Sequence, residues 1–312
     1  MTKGCAPVIL SEAKNLNEAK NLITVIMKTT LIILNYKDSS RTLELLNKVR
    51  GYSVLDNIVV VDNASGDGSY ERLKQEEDGK VSVIERAENG GYSAGNNSGA
   101  LFALKQFKPD ILFFANPDVF FTEDTAEEMV KALDRNPGFA SVAPLVRQGY
   151  NVWDLPGFPG VLMSLFLILF NLDKKRIRSG LEGSDKEFTE AGVVEGSFFA
   201  VDAGKFKEVQ GFDERTFLYS EEIIIARRFR AHGYKTGVLT RCRYDHLHSA
   251  SIKKIYRSSK AAAFHHFRDS FRIYNKYYLK TNVIEDRIFD ICWGLGYAER
   301  VVYDLIMSIR EA

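Results

Sequence analysis

The sequence predicts an α/β fold with a mostly parallel central sheet covered by helices on both faces. Three observations lead there. Short apolar runs rich in β-branched residues alternate with helical patterns from Thr29 to about Val142. Strands buried on both faces have that character, and strand–helix alternation builds parallel sheets. The loops after three of these runs concentrate Asn and Asp, and such sheets bind ligands beyond the carboxyl ends of their strands.

Thr30-Leu31-Ile32-Ile33-Leu34 is the first strand. Asp38 or Ser39 can cap the next helix, whose apolar side is Leu43, Leu45, Leu46 and Val49. Ile58–Val61 is the second strand, followed by the turn-rich loop Asp62–Gly68 and a charged helix through Leu73. Val81–Ile84 is the third strand, and a helix is expected from about Tyr92 to Phe107. Ile111–Phe114 is the fourth strand, a helix runs from about Glu123 to Asp134, and Phe139–Val142 is a further strand. The alternation fades after Tyr150, resumes between Val193 and Tyr244, and gives way from about Lys260 to helices rich in aromatic and basic residues.

Residues 1–26 read as a leader, poorly ordered or not native, because Ser11–Leu16 is nearly repeated by Asn17–Leu22 and Met27-Lys28 leads straight into a strand. An ordinary N-terminal helix is the alternative. The main domain is expected over 27–255, with an acceptor- or membrane-facing insertion at about 151–192, and a helical extension over 256–312.

At 312 residues and 45% hydrophobic content, the chain has room for one large domain or two small ones. Its 42 basic and 41 acidic residues give a net charge of +1, so bulk charge offers nothing to attract nucleic acid. Cys5, Cys242 and Cys292 are widely separated, which argues against a zinc site or disulfide framework and fits a reducing compartment. The longest apolar run, Val161–Phe170, is too short to cross a bilayer. The expected location is the cytoplasm. Val161–Phe170 followed by Lys174–Arg178 also suggests peripheral contact with the inner face of the cell membrane, against the plainer reading of an internal helix with a solvated basic end.

Several segments carry chemistry. Asp118, in Asn116-Pro117-Asp118 after the fourth strand, could coordinate Mg²⁺ or Mn²⁺, hard cations that bind carboxylates together with phosphates; a simple turn is the alternative. Asp62-Asn63 could hydrogen-bond a base or ribose. Asn89–Asn97 resembles a phosphate-binding glycine loop in composition and opens a helix, but lacks the spacing of a dinucleotide fold and the lysine of a P-loop. Glu221 and Glu222, at a helix start, are either dipole-favoured caps or a general base. His246 and His248 share a strand face and could ligate a metal or contact a diphosphate.

In order along the chain, these segments resemble the family 2 glycosyltransferases, especially bacterial rhamnosyltransferase-like members. The likeness is carried by Asn35-Tyr36, V-V-D-N-A-S at Val60–Ser65, E-N-G-G-Y-S-A-G-N-N at Glu88–Asn97, N-P-D-V at Asn116–Val119, E-G-S-F-F-A-V at Glu195–Val201, G-F-D-E at Gly211–Glu214, F-L-Y-S-E-E at Phe217–Glu222 and H-x-H-x-x-S at His246–Ser251. The resemblance implies a GT-A fold, a Rossmann-like α/β/α sandwich, and an inverting mechanism. It implies a nucleotide-diphosphate sugar donor, linked to UDP or dTDP (dTDP-rhamnose included), and a polysaccharide or lipid-linked glycan acceptor. Nucleotide-sugar contacts fall on Asn35, Tyr36, Asp38, Asp62, Asn63, Ser65, Asn89, Gly91, Asn96, Asn116 and Gly196. A divalent cation falls on Asp118 and His246, and the catalytic base on Glu222 or Glu221. Glu222 stands where the family usually has aspartate, and Ile224 where it often has a second acid. That departure keeps open a nucleotide-sugar-binding protein with impaired catalysis, and the shared layered α/β architecture and metal use leave a nucleotidyltransferase as a further alternative.

Overall fold

The computed structural model describes residues 27–247 and 260–311. The leader at 1–26 and His248 lie outside the described residues.

The first half follows the expected alternation: β1 (Thr29–Asn35), α1 (Ser39–Val49), β2 (Asn57–Asp62), α2 (Ser69–Lys74), β3 (Val81–Glu85), α3 (Gly91–Gln106), β4 (Ile111–Ala115), β5 (Val119–Phe120), α4 (Glu123–Arg135) and β6 (Phe139–Val146). The second half contains β7 (Val152–Trp153), α5 (Phe158–Ser164), α6 (Leu167–Glu182), β8 (Phe188–Ala191), β9 (Val193–Val194), β10 (Phe198–Asp202), α7 (Ala203–Glu208), α8 (Glu221–Ala231) and β11 (Lys235–His246). Two helices, α9 (Lys260–Tyr274) and α10 (Val283–Glu311), close the chain, with a π-helical turn at Asn275–Leu279 between them.

The main sheet runs β3-β2-β1-β4-β10-β6-β11-β5, with β8 added to β11. β3, β2, β1 and β4 are mutually parallel, and β11 is parallel to β6. β10 is antiparallel to both its neighbours. That reversal brings the start of β10 to the edge where β1 and β4 end.

Successive strand side chains point to opposite faces, and the core divides accordingly. Leu31, Ile33 and Val60 face α1 and α4, where Leu45, Leu46 and Met129 cover them. Ile32, Val59 and Val61 face the other way, toward α3 and α8, meeting Ala100, Ala103, Ile225 and Phe229. Leu45 is fully buried, and trimming it to alanine would cost about 2–5 kcal/mol. α3 packs so tightly on the sheet that a Cβ on Gly99 would come within 2.7 Å of Ile32. Thr122 caps α4 by accepting from the Thr125 N–H, and Glu123 and Asp124 complement the helix dipole. Asp38 stands at the N-cap of α1 but makes no side-chain capping bond.

A third cluster, built from Val161, Leu165, Ile223, Ile224, Phe264, Phe271 and Phe289, packs the later helices onto α8. The run Val161–Phe170 therefore divides: Val161 and Leu165 are core, whereas Ile168 and Leu169 are exposed. Among the described residues, no helix is long and apolar enough to cross a membrane.

Candidate active site

The carboxyl edge of the sheet opens into one cavity of about 450 Å³, within the range of small-molecule sites. Among the predicted residues, Tyr36, Asp38, Asn63, Asn89, Gly91, Asn116, Asp118, Gly196, Glu221, Glu222 and His246 line it. They arrive from the ends of β1, β2, β4 and β11, from the start of α3, from the turn before β10, and from the start of α8.

Asn35, Asp62, Ser65 and Asn96 are placed behind this wall. Asp62 is fully buried, and its carboxylate accepts from Asn35 Nδ2 (2.7 Å), Ser65 Oγ (2.7 Å) and the Ser65 N–H (2.9 Å). Ser65 Oγ also accepts from the Lys37 N–H, so this cluster ties the loops after β1 and β2 together. Asn96 donates to the Tyr92 carbonyl within α3. Asn63 reaches the cavity, where its amide donates to Asn89 Oδ1 and the Gly91 carbonyl. Its own side-chain oxygen is buried without a hydrogen-bond partner among the described residues, an opening that a ligand donor can fill.

Asp118 and His246 meet because β5, which follows Asp118 directly, pairs antiparallel with the end of β11. His246 Nε2 lies 3.3 Å from Asp118 Oδ1, and His246 Nδ1 lies 3.9 Å from Glu195 Oε2. Burial pushes the Asp118 carboxyl up, but the hydrogen bond and charge of His246 outweigh it and leave the group below its ordinary value. Burial likewise pushes His246 down, and the hydrogen bond to Asp118 with the Glu195 charge carries it above its ordinary value. One carboxylate and one imidazole at this spacing suit Mg²⁺ or Mn²⁺. Among the described residues no group of three or more His, Cys, Asp or Glu could hold a cation alone. The pair fits one only where phosphate oxygens complete its shell.

Facing this pair are the two glutamates that open α8. The chain reaches them through Tyr219 and Ser220, both left-handed, with φ of 70° and 64°. Two consecutive non-glycine residues in that region carry strain of about 1–3 kcal/mol each, a cost met mainly at functional sites. Glu222 Oε1 accepts from the Gly196 N–H at 3.2 Å. Burial raises its carboxyl, as does the charge of Glu195, while the Gly196 N–H and the Lys174 ammonium restrain the rise. Glu221 is buried, its Oε2 has no hydrogen-bond partner among the described residues, and burial with the Glu222 charge pushes it well up. Ile224 is fully buried in the helical core.

Sequence reasoning missed Tyr92, Glu195, Ser197, Phe217, Leu218 and Tyr219, all on the cavity wall. Tyr92 donates to the Gly196 carbonyl at 2.6 Å. The signal existed in the E-G-S-F-F and F-L-Y-S-E-E runs, but the reversed direction of β10 that brings Glu195 to this edge was not legible. Lys174 is a second surprise. From the basic stretch read either as lipid-facing or as a solvated helix end, it turns inward, its ammonium 4.2 Å from the Phe170 ring centre and 4.6 Å from that of Trp153. Its charge acts on Glu195 and Glu222.

A doubly covered, mostly parallel α/β sheet with a cavity at its carboxyl edge, lined by carboxylates and a histidine, is the architecture of a GT-A fold. Residues 30–209 match the family model for glycosyl transferase family 2, and the chain belongs to that family. It is similar to the low-salt glycan biosynthesis hexosyltransferase Agl10 of Haloferax volcanii, with 23% identity over 85% of this chain and 81% of that protein. It is also similar to the rhamnosyltransferase WbbL of Escherichia coli, with 24% identity over 64% and 74% of the two chains. Among solved structures, the mannosyltransferase PcManGT of Pyrobaculum calidifontis, in complex with GDP-Man and Mn²⁺, shares the fold, with a TM-score of 0.56 and 16% identity over 96% of this chain and 82% of that one.

Proposed function

We propose that the protein is an inverting hexosyltransferase that moves a sugar from a nucleoside diphosphate to a hydroxyl of a polysaccharide or lipid-linked glycan. UDP and dTDP sugars, dTDP-rhamnose among them, are the donors to try first. The observation that carries the reading is the shared cavity of Glu222, Asp118 and His246. The similarity to a hexosyltransferase and a rhamnosyltransferase supports the group transferred.

In this reading the nucleoside lies along Tyr36, Asp38, Asn63 and Asn89, with the open Asn63 oxygen accepting from it. Asp118 and His246 would hold a divalent cation together with the diphosphate, as the Mn²⁺ complex of PcManGT supports by analogy. That cation would supply positive charge against the charge growing on the leaving group. Glu222 is the base. Its carboxylate takes the proton of the acceptor hydroxyl while the oxygen attacks the anomeric carbon from the face opposite the nucleotide. One C–O bond forms as the bond to the diphosphate breaks, and its electron pair leaves with the diphosphate. The Gly196 N–H fixes the carboxylate's direction. Glu221, adjacent and pushed well up by burial and the Glu222 charge, is held protonated and so is less available to take a proton.

The test is release of nucleoside diphosphate across a panel of nucleotide sugars with a glycan acceptor, with and without Mn²⁺. Donor-specific release that depends on acceptor supports the proposal. Tight nucleotide binding with no turnover on any donor would instead support a binding protein, and release of pyrophosphate a nucleotidyltransferase.

A further inference from the structure

The two glutamates of α8 are reached through residues whose own chemistry argues against their conformation. Tyr219 and Ser220 are both left-handed, at φ 70° and 64°, a region that β-carbon sterics disfavour. Ser220 is the N-cap of α8, yet its side chain makes no capping bond, and its Oγ is buried with no hydrogen-bond partner among the described residues. That side chain does not offset the strain, and such conformations persist only where surrounding contacts over-determine them. α9 supplies contacts on both sides of the pair. Before it, Ser270 Oγ donates to the Leu218 carbonyl at 2.7 Å, and the Phe267 ring stacks on that of Tyr219, with centres 4.3 Å and planes 29° apart. After it, Ile223 and Ile224 pack with Phe264 and Phe271, and Arg227 donates to the Tyr274 hydroxyl at 2.6 Å. From the other side, the Tyr92 N–H of α3 donates to the Phe217 carbonyl at 2.9 Å.

We propose that Phe267 and Ser270 are positioning residues of the transferase, holding Tyr219 and Ser220 in the left-handed conformation that aims Glu222 at the cavity. The inference rests on the reading of Glu222 as the base. The left-handed pair sets the direction in which α8 starts, and Glu222 lies in its first turn, where the Gly196 N–H meets it. Phe267 and Ser270 are not on the cavity wall, so they act on the reaction through the loop and not on the substrate. Ser270 is buried, and its bond to Leu218 is therefore not exchanged for one to water. The loop has two states, one strained and aimed, the other relaxed with the first turn of α8 turned away. The α9 contacts exist in the first alone and so set the balance between them.

The test uses variants of the full chain, each checked for native circular dichroism and cooperative melting. Phe267→Leu removes the ring, Phe267→Tyr keeps it, and Ser270→Ala removes the hydroxyl. Ser220→Gly relieves the strain at a side chain that makes no hydrogen bond, because glycine enters the left-handed region without a β-carbon clash. Phe267→Leu and Ser270→Ala should each lower turnover about fivefold, the worth of one ring contact or hydrogen bond, with UDP and dTDP affinity unchanged. Phe267→Tyr should match the wild type. Ser220→Gly added to either damaged variant should restore most of its turnover, which it would not do for a fold that had simply loosened. Hydrogen–deuterium exchange over residues 216–226 reads the loop without turnover and should quicken in the two damaged variants. In an active enzyme, unchanged turnover in both variants, or a loss that Ser220→Gly does not repair, would overturn the proposal and leave the catalytic reading intact. In a protein that releases nucleoside diphosphate from no donor, the catalytic reading fails. Faster loop exchange in the damaged variants would then still support the hold of α9 on the loop, and unchanged exchange would overturn it.

Discussion

The His246 imidazole stands 3.3 Å from the Asp118 carboxylate at the mouth of the sheet, brought there by a two-residue strand that pairs with the end of β11. In the structure a proton can occupy the space between them. A cation coordinated by both would replace it, and phosphate would bind to the cation rather than to either side chain.

From this follows a prediction about metal. Asp118→Asn and His246→Ala should each weaken nucleotide-sugar binding about tenfold or more in Mn²⁺, and have little effect in EDTA. Titration calorimetry with and without metal reads both arms. Equal losses in the two conditions would remove these residues from cation binding.

Glu222→Gln should lower turnover by about 10²–10⁴-fold while leaving nucleotide affinity unchanged, because a base acts on the proton and not on the donor. Glu221→Gln should cost less. Steady-state turnover and nucleotide titration on both variants decide between the two carboxylates, and wild-type turnover in Glu222→Gln would exclude it as the base.

The pH dependence follows from the same group. Burial raises the Glu222 carboxyl, and the base works only when ionised, so turnover should rise with pH through a midpoint above the ordinary glutamate value of 4.5. Lys174 restrains that rise. Lys174→Met should therefore move the limb to higher pH, and Lys174→Arg should largely restore it. A limb that moves downward, or not at all, would show that the ammonium does not act on the base.

Gly91 sits at φ +79°, and a Cβ there would lie 2.0 Å from the Phe217 carbonyl. That carbonyl accepts from the Tyr92 N–H and so fixes the loop leading to Glu221. Gly91→Ala should cost about 1–3 kcal/mol and displace the loop. Thermal melting and turnover should fall together.

Asp213 accepts from Arg215 at 2.5 Å and from the Tyr278 hydroxyl at 2.6 Å. Burial works against its charge, yet these donors lower its carboxyl from 3.8 to about 2. A depressed carboxylate adds stability that is complete above its ordinary value and lost as pH falls toward 2. Asp213→Asn should lower stability by about 1–2 kcal/mol at neutral pH, with the difference from wild type shrinking in acid. Denaturant melts at neutral and acid pH test the sign.

β1 to β4, β6 and most of the cavity residues were legible in the chain because each is a local pattern, whereas β5 and the strands from β7 onward were not delimited there. Fully apolar runs such as Ile58–Val61 announce burial, and Asn116-Pro117-Asp118 announces a polar loop at a strand end. Asp62 shows the limit. An aspartate after a strand looks the same in sequence whether it faces a ligand or, as here, accepts from Asn35 and Ser65 behind the wall.

What the sequence determined by itself was the alternating α/β architecture, the family, and the segments in which the chemistry lies, since hydrophobic periodicity and short motifs depend on neighbours along the chain. Only the tertiary structure decided which side chains face one another. The reversal of β10 brought Glu195 and Gly196 to the carboxyl edge, the pairing of β5 with β11 set His246 against Asp118, and the fold of α6 turned Lys174 inward from its basic run. Strand direction and helix rotation are settled by packing between distant segments, and no local pattern records them.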